Sequence, residues 1–137
     1  MSFSNRRKIA ERQERMAERD RRESAAGKLT DRVPGLTSLS LVIRETRPGG
    51  SASDTQYTRR VVIERAPALF EVPCSYSYCR DGGYDVTREI LDGLRSRSPH
   101  FEGEVGCRGS CGGEYCSRVL HYVATATYAN GDAPSRN

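Results

Sequence analysis

Five cysteines fall between positions 74 and 116, spaced Cys74-x4-Cys79, then a gap of 27 residues, then Cys107-x3-Cys111-x4-Cys116. No other feature restricts the fold as much. A chain of 137 residues that is 36% hydrophobic and has no Trp holds material for one lean core. A cross-link between distant loops would therefore add much to its stability. The odd number of cysteines argues against a complete disulfide framework. The N-terminus is charged and lacks the apolar stretch of a secretory signal. No run approaches the roughly 18–20 apolar residues that span a bilayer. The chain therefore reads as soluble and cytoplasmic, without a membrane partner. Thiols in that compartment stay reduced, and clustered cysteines there bind metal more often than they pair.

The hydrophobic pattern places the cysteines on loops between strands. Leu39, Leu41 and Ile43 alternate with Ser38, Ser40 and Arg44, the signature of a half-buried strand. Positions 47–56 (RPGGSASDTQ) have loop composition, and Tyr57 to Glu64 reads as a second strand, so the two predict an antiparallel hairpin with a long tip. Pro67 interrupts the second strand, and Leu69 to Val72 carries extended chain into Cys74. Asp85 is a good N-cap for a helix from about Val86 to Arg97, with Val86, Ile90, Leu91 and Leu94 on one face. Phe101 to Val105 and Arg118 to Tyr128 read as the third and fourth strands, the latter with Leu120, Tyr122, Ala124, Ala126 and Tyr128 on one side. The fold class is α+β: an antiparallel sheet of about four strands with one short helix. Positions 1–28 form a charged helical arm, 29–128 the cysteine-bearing domain, and 129–137 a tail of disordered composition.

Each cysteine group follows a strand and sits among Gly and Ser, so two loops can aim thiolates at a common centre. Four thiolates suit tetrahedral Zn2+. Cys74 and Cys79 supply two of them. Cys107 ends one strand and Cys116 begins another, so these two meet at the mouth of a hairpin. The rival pair is Cys111 with Cys116, whose x4 spacing repeats that of Cys74 and Cys79; hairpin geometry favours Cys107 and leaves Cys111 at the tip. An iron–sulfur cluster also accepts four cysteines, but the spacing matches neither common ferredoxin pattern. From about Leu69 to Tyr128 the arrangement resembles the zinc-ribbon group of small four-cysteine domains: a Cys pair after one strand, a second pair after another, then a closing strand. It departs in having x4 loops and a helix between the groups. The resemblance implies a closed structural site. His100, beside Pro99, and His121, within the last strand, read as ordinary fold residues, with His100 the weaker substitute ligand.

The net charge of +4 resides entirely on the arm: positions 1–28 carry nine Lys/Arg and five Asp/Glu, and the remaining positions balance. Positions 4–24 predict a helix, with Ser4 or Asn5 as cap, Glu11–Arg15 and Glu18–Arg22 as i,i+4 pairs, and an end at Ser24 to Gly27. Ile9 and Met16 give it almost no apolar face, so it projects, frays or binds a partner. Arg6, Arg7, Lys8, Arg12, Arg15, Arg19, Arg21 and Arg22 are suited to phosphates, although the interleaved acids dilute that reading. Tyr76, Tyr78 and Tyr84 with Arg80 could stack on bases or cover the metal. No Walker or Rossmann glycine motif is present, and no acid–base pair stands out. The expectation is a non-enzymatic zinc-stabilised module that contacts RNA, DNA or a ribonucleoprotein through the arm. The alternative is an accessory subunit whose arm docks on a larger protein assembly. The third is a thiol-redox or metal sensor that uses Cys111.

Overall fold

Alternation is the organising fact of the first strand. In β1 (Leu36–Thr46), Leu39, Leu41 and Ile43 are buried while Thr37, Ser38 and Arg44 are exposed. The computed structural model describes residues 3–46, 55–76 and 78–129. The first strand pairs antiparallel with β2 (Thr55–Val61), Leu41 opposite Arg59. The predicted hairpin is therefore present, but Thr55 and Gln56 belong to its second strand and not to the loop. Positions 47–54 of that loop lie outside the described residues. The second strand stops at Val61 because Val62 to Arg65 form a turn, in which Val62 accepts hydrogen bonds from the Arg65 and Ala66 N–H groups.

The last strand, β8 (Val119–Tyr128), lies on the other side of β1, and β5 (His100–Gly106) pairs with it in turn. All three pairings are antiparallel, in the order β2-β1-β8-β5. Leu120, Tyr122, Ala124 and Ala126 face the same side as Leu39, Leu41 and Ile43. That side is covered by α3 (Thr87–Arg95), whose Ile90 and Leu94 are fully buried. Each such aliphatic side chain stabilises the fold by about 1.5–3 kcal/mol. The helix ends earlier than its pattern suggested, because Arg97 adopts φ +56 and its guanidinium donates to the Pro34 carbonyl and stacks on Tyr128. Asp85 is not the N-cap, a position that Val86 takes without a side-chain bond; one residue ahead of it, the Asp85 carboxylate accepts the Thr87 N–H at 3.0 Å. Asp85 itself belongs to β4 (Tyr84–Asp85), which pairs with β3 (Glu71–Val72).

The charged arm is α1 (Phe3–Ala26). Ser4 and Asn5 stand inside it, not ahead of it as caps. Its end is fixed as the sequence indicates, by Gly27 at φ +81, a conformation glycine adopts without steric cost. The next residues are tied down: Ala68 N–H donates to Gly27, Leu29 N–H to Ala66, and the short α2 (Leu29–Arg32) buries Leu29 completely. Arg22 bonds Glu71 of β3 at 3.2 Å and also pairs with Glu18 at 3.7 Å. Only the base of the helix meets the domain; residues 5–22 are exposed throughout. No described helix is long and apolar enough to cross a membrane. Of the tail, Ala129 donates to Gly35 at 2.7 Å, and positions 130–137 lie outside the described residues.

Candidate metal centre

The first cysteine loop leaves β3 through Pro73 and returns at β4. The second leaves β5, turns through β6 (Ser110–Cys111) and β7 (Glu114–Tyr115), and re-enters the sheet at β8. Gly112 and Gly113, at φ +59 and +88, make the two-residue turn between β6 and β7. Cys107 N–H donates to Arg118 at 2.9 Å and extends the β5–β8 ladder by one step. Cys107 and Cys116 thus flank the hairpin mouth. The two loops are joined backbone to backbone: Arg80 and Ser110 exchange hydrogen bonds of 2.8 and 3.0 Å, and Arg108 N–H donates to Gly83 at 3.1 Å.

This framework brings the sulfurs of Cys74, Cys79, Cys107 and Cys116 within 4.8 Å of one another. Cys74 and Cys116 are 3.9 Å apart, and Cys79 and Cys107 3.7 Å. A tetrahedron with metal–sulfur bonds of about 2.3 Å has an edge of about 3.8 Å. The cluster therefore has the dimensions of a four-thiolate metal site. Cys111, in β6, lies beside Cys116 but outside the group of four. His100 is exposed opposite Thr125, and His121 contacts Thr46 at 3.2 Å. Neither belongs to the cluster.

The surroundings of the sulfurs act in both directions. Gly83 and Gly109 N–H groups point at the Cys107 sulfur, at 3.3 and 3.4 Å. Burial acts against the charged form of Arg118, but the neighbouring Cys116 and Cys74 sulfurs and the Glu45 carboxylate outweigh it and raise its pKa. The same guanidinium stacks 4.1 Å over the Tyr76 ring. Among the thiols, burial and the adjacent sulfurs push Cys74 up to about 11 and Cys79 higher still. Cys116 is lowered to about 7: burial opposes this, but the Arg118 N–H and the neighbouring thiols prevail. A cation among the sulfurs would favour the charged forms of Cys74 and Cys79 that burial opposes, which is the behaviour of a metal-binding set.

One residue beside the site has no counterpart in the sequence expectations. Glu45 is 8% exposed, and its carboxylate accepts hydrogen bonds from Tyr84 Oη at 2.6 Å, Ser75 N–H at 3.3 Å and the Ser75 hydroxyl. Burial would raise its pKa, yet these donors keep it lowered. Glu45 thus fastens the first cysteine loop to β1. The signal was available: Glu45 continues the inward phase of Leu39, Leu41 and Ile43. Tyr84 corrects the expectation of an exposed aromatic. It is completely buried, and burial together with Glu45 raises its pKa. Tyr84→Phe removes a donor to a buried carboxylate and is expected to cost about 1.5–3 kcal/mol in chemical denaturation. All four clustered cysteines remain in that variant, so metal stoichiometry should not change.

The basic residues Arg6, Arg7, Lys8, Arg12, Arg15, Arg19 and Arg22 all lie exposed along α1. Among the described residues, the ion pairs of this helix fall between Glu18 and Glu23, with Glu71 as the outside partner. No protein-family model, curated protein or solved structure matches the chain.

Proposed function

We propose that the chain is a non-enzymatic nucleic-acid-binding module whose two loops are clamped by a structural Zn2+ held by Cys74, Cys79, Cys107 and Cys116. Sulfurs this close share a single ion, whereas an iron–sulfur cluster spreads its thiolates over several irons. Four thiolates complete the tetrahedron and leave no position for substrate or water, which fits a structural ion.

One observation carries the nucleic-acid part. Lys8, Arg12, Arg15, Arg19 and Arg22 follow one another at intervals of four, three, four and three. At 3.6 residues per turn they fall within a sector of about 80° and run for about 21 Å along the helix. Glu11, Glu14 and Glu18 border this sector on one side, and Asp20 and Glu23 on the other. The row itself thus holds no acid, although acids and bases interleave along the chain. Such a row can follow a phosphate backbone, with affinity that depends on salt. Its inner end, Arg22, bonds Glu71, three residues before Cys74, so the row is anchored to the strand that enters the clamp.

The test is binding of labelled single-stranded and duplex oligonucleotides at several salt concentrations. Wild-type protein is expected to bind with steep salt dependence. Joint replacement of Lys8, Arg12, Arg15 and Arg19 by Ala, which retains helix propensity, should reduce the slope of log K against log salt by about 3. An unchanged slope, or salt-insensitive capture by a protein complex with no nucleic-acid binding, overturns the proposal.

A further inference from the structure

The two cysteine loops have a second, outward face. Arg80 is paired with Ser110, and Ser110 with Tyr115. Residues directly opposite on antiparallel segments project to the same side, so the three form one row across three adjacent segments. Gly109 shows which side this is. A Cβ placed there would meet the Cys79 sulfur at 2.4 Å, so position 109 faces the cysteines and position 110 faces away. All three residues of the row are exposed, and Tyr115 is 91% exposed.

A phenol ring and a guanidinium plane therefore rise on either side of a small serine, two strand spacings apart. That separation is about 9–10 Å at the backbone. A flat ring in contact with a flat group on each face needs about 7–8 Å, within reach of two side chains that lean inward. The Ser110 hydroxyl at the floor can donate and accept. Tyr and Arg both stack on bases, and neither requires a particular base.

We propose that Tyr115, Ser110 and Arg80 form a stacking slot for one unpaired base of a single-stranded nucleic acid. A base within a duplex is already stacked and cannot enter. The slot rests on the nucleic-acid reading above and gives it a preference for single strands. The row on α1 supplies phosphate contacts, and the clamp holds the slot walls in place.

Three fifteen-nucleotide probes separate the alternatives: an oligo-dT strand, an abasic strand with the same phosphates, and a duplex. Tyr115→Ala should weaken oligo-dT binding about tenfold and leave the abasic strand, the duplex and the salt slope unchanged. Arg80→Lys, which keeps the charge but not the planar fork, should weaken oligo-dT several-fold with the same slope. Unchanged oligo-dT binding in both variants refutes the slot and leaves the helix reading standing. Equal losses on all three probes mean a phosphate contact or a structural role, and also refute it. Wild-type protein that binds none of the probes removes the helix reading and the slot together.

Discussion

Cys116→Ser protein is expected to lose its zinc and its cooperative thermal transition, whereas Cys111→Ser should keep one zinc per chain and melt like the wild type. Cys116 is one of the four clustered sulfurs, 3.9 Å from Cys74, and Cys111 is not. Structural zinc contributes about 10–16 kcal/mol of apparent binding energy in small domains. A whole domain is commonly stable by only about 5–15 kcal/mol. Loss of the ion is therefore comparable with the total. Even a loss of about 5 kcal/mol would lower Tm by roughly 20–40 °C in a domain of this size. Between the loops and the sheet lie Glu45, Tyr84 and Ser75, a polar group that stays satisfied only while the first loop is in place. Without the clamp the Glu45 carboxylate would lose its donors or carry the loop away with it. Elemental analysis with native mass spectrometry reads the ion, and circular dichroism reads the melt. Zinc retained at unchanged Tm in Cys116→Ser, or lost in Cys111→Ser, would contradict the assignment.

Cys107 and Cys116 show what was legible in the sequence. Cys107 follows the inward–outward alternation of β5, and Cys116 stands just before that of β8. Two strands that pair antiparallel bring such ends together, and this local geometry was enough to prefer Cys107 over Cys111. The strands themselves were legible because Leu39, Leu41 and Ile43, and Leu120, Tyr122, Ala124 and Ala126, keep period two. Their order in the sheet was not. The insertion of β8 between β1 and β5 depends on pairings such as Leu41 with Ala124, far apart in the chain, which no local pattern encodes.

Two further residues were harder for a physical reason. Tyr84 sits in a two-residue strand, too short for periodicity to reveal which way it faces. Glu45 had the right phase for burial, but a buried carboxylate is costly unless it is paired. Its partners, Ser75 and Tyr84, lie 30 and 39 residues away. The charged helix is the reverse case. In linear order its acids and bases look mixed, and only the helical period gathers Lys8, Arg12, Arg15, Arg19 and Arg22 into one row, with Glu11, Glu14 and Glu18 along one edge and Asp20 and Glu23 along the other.

Gly109→Ala is expected to weaken zinc binding by about 100-fold, the upper end of what supporting residues around a metal contribute, although every cysteine remains. A Cβ at position 109 would lie 2.4 Å from the Cys79 sulfur, 2.5 Å from Gly82 Cα and 2.7 Å from the Arg80 carbonyl oxygen. None of these neighbours can yield freely. The sulfur cannot move without leaving the tetrahedron. The 80–82 backbone cannot move without breaking the Arg80–Ser110 bridge that joins the loops. Overpacking ordinarily costs about 1–3 kcal/mol because surrounding side chains shift; here the atoms in the way are a ligand and main chain, so the cost falls on the site itself. Gly106→Ala is the matched control. It is three residues earlier, at the end of β5, and a Cβ there meets nothing within 4 Å. Its stability should stay within about 0.5 kcal/mol of wild type. Competition with a chromogenic chelator measures both. If the two alanines behave alike, the close approach of the loops is not what shapes the site. If only Gly109→Ala releases zinc, the packing of the two loops governs affinity as much as the thiols do.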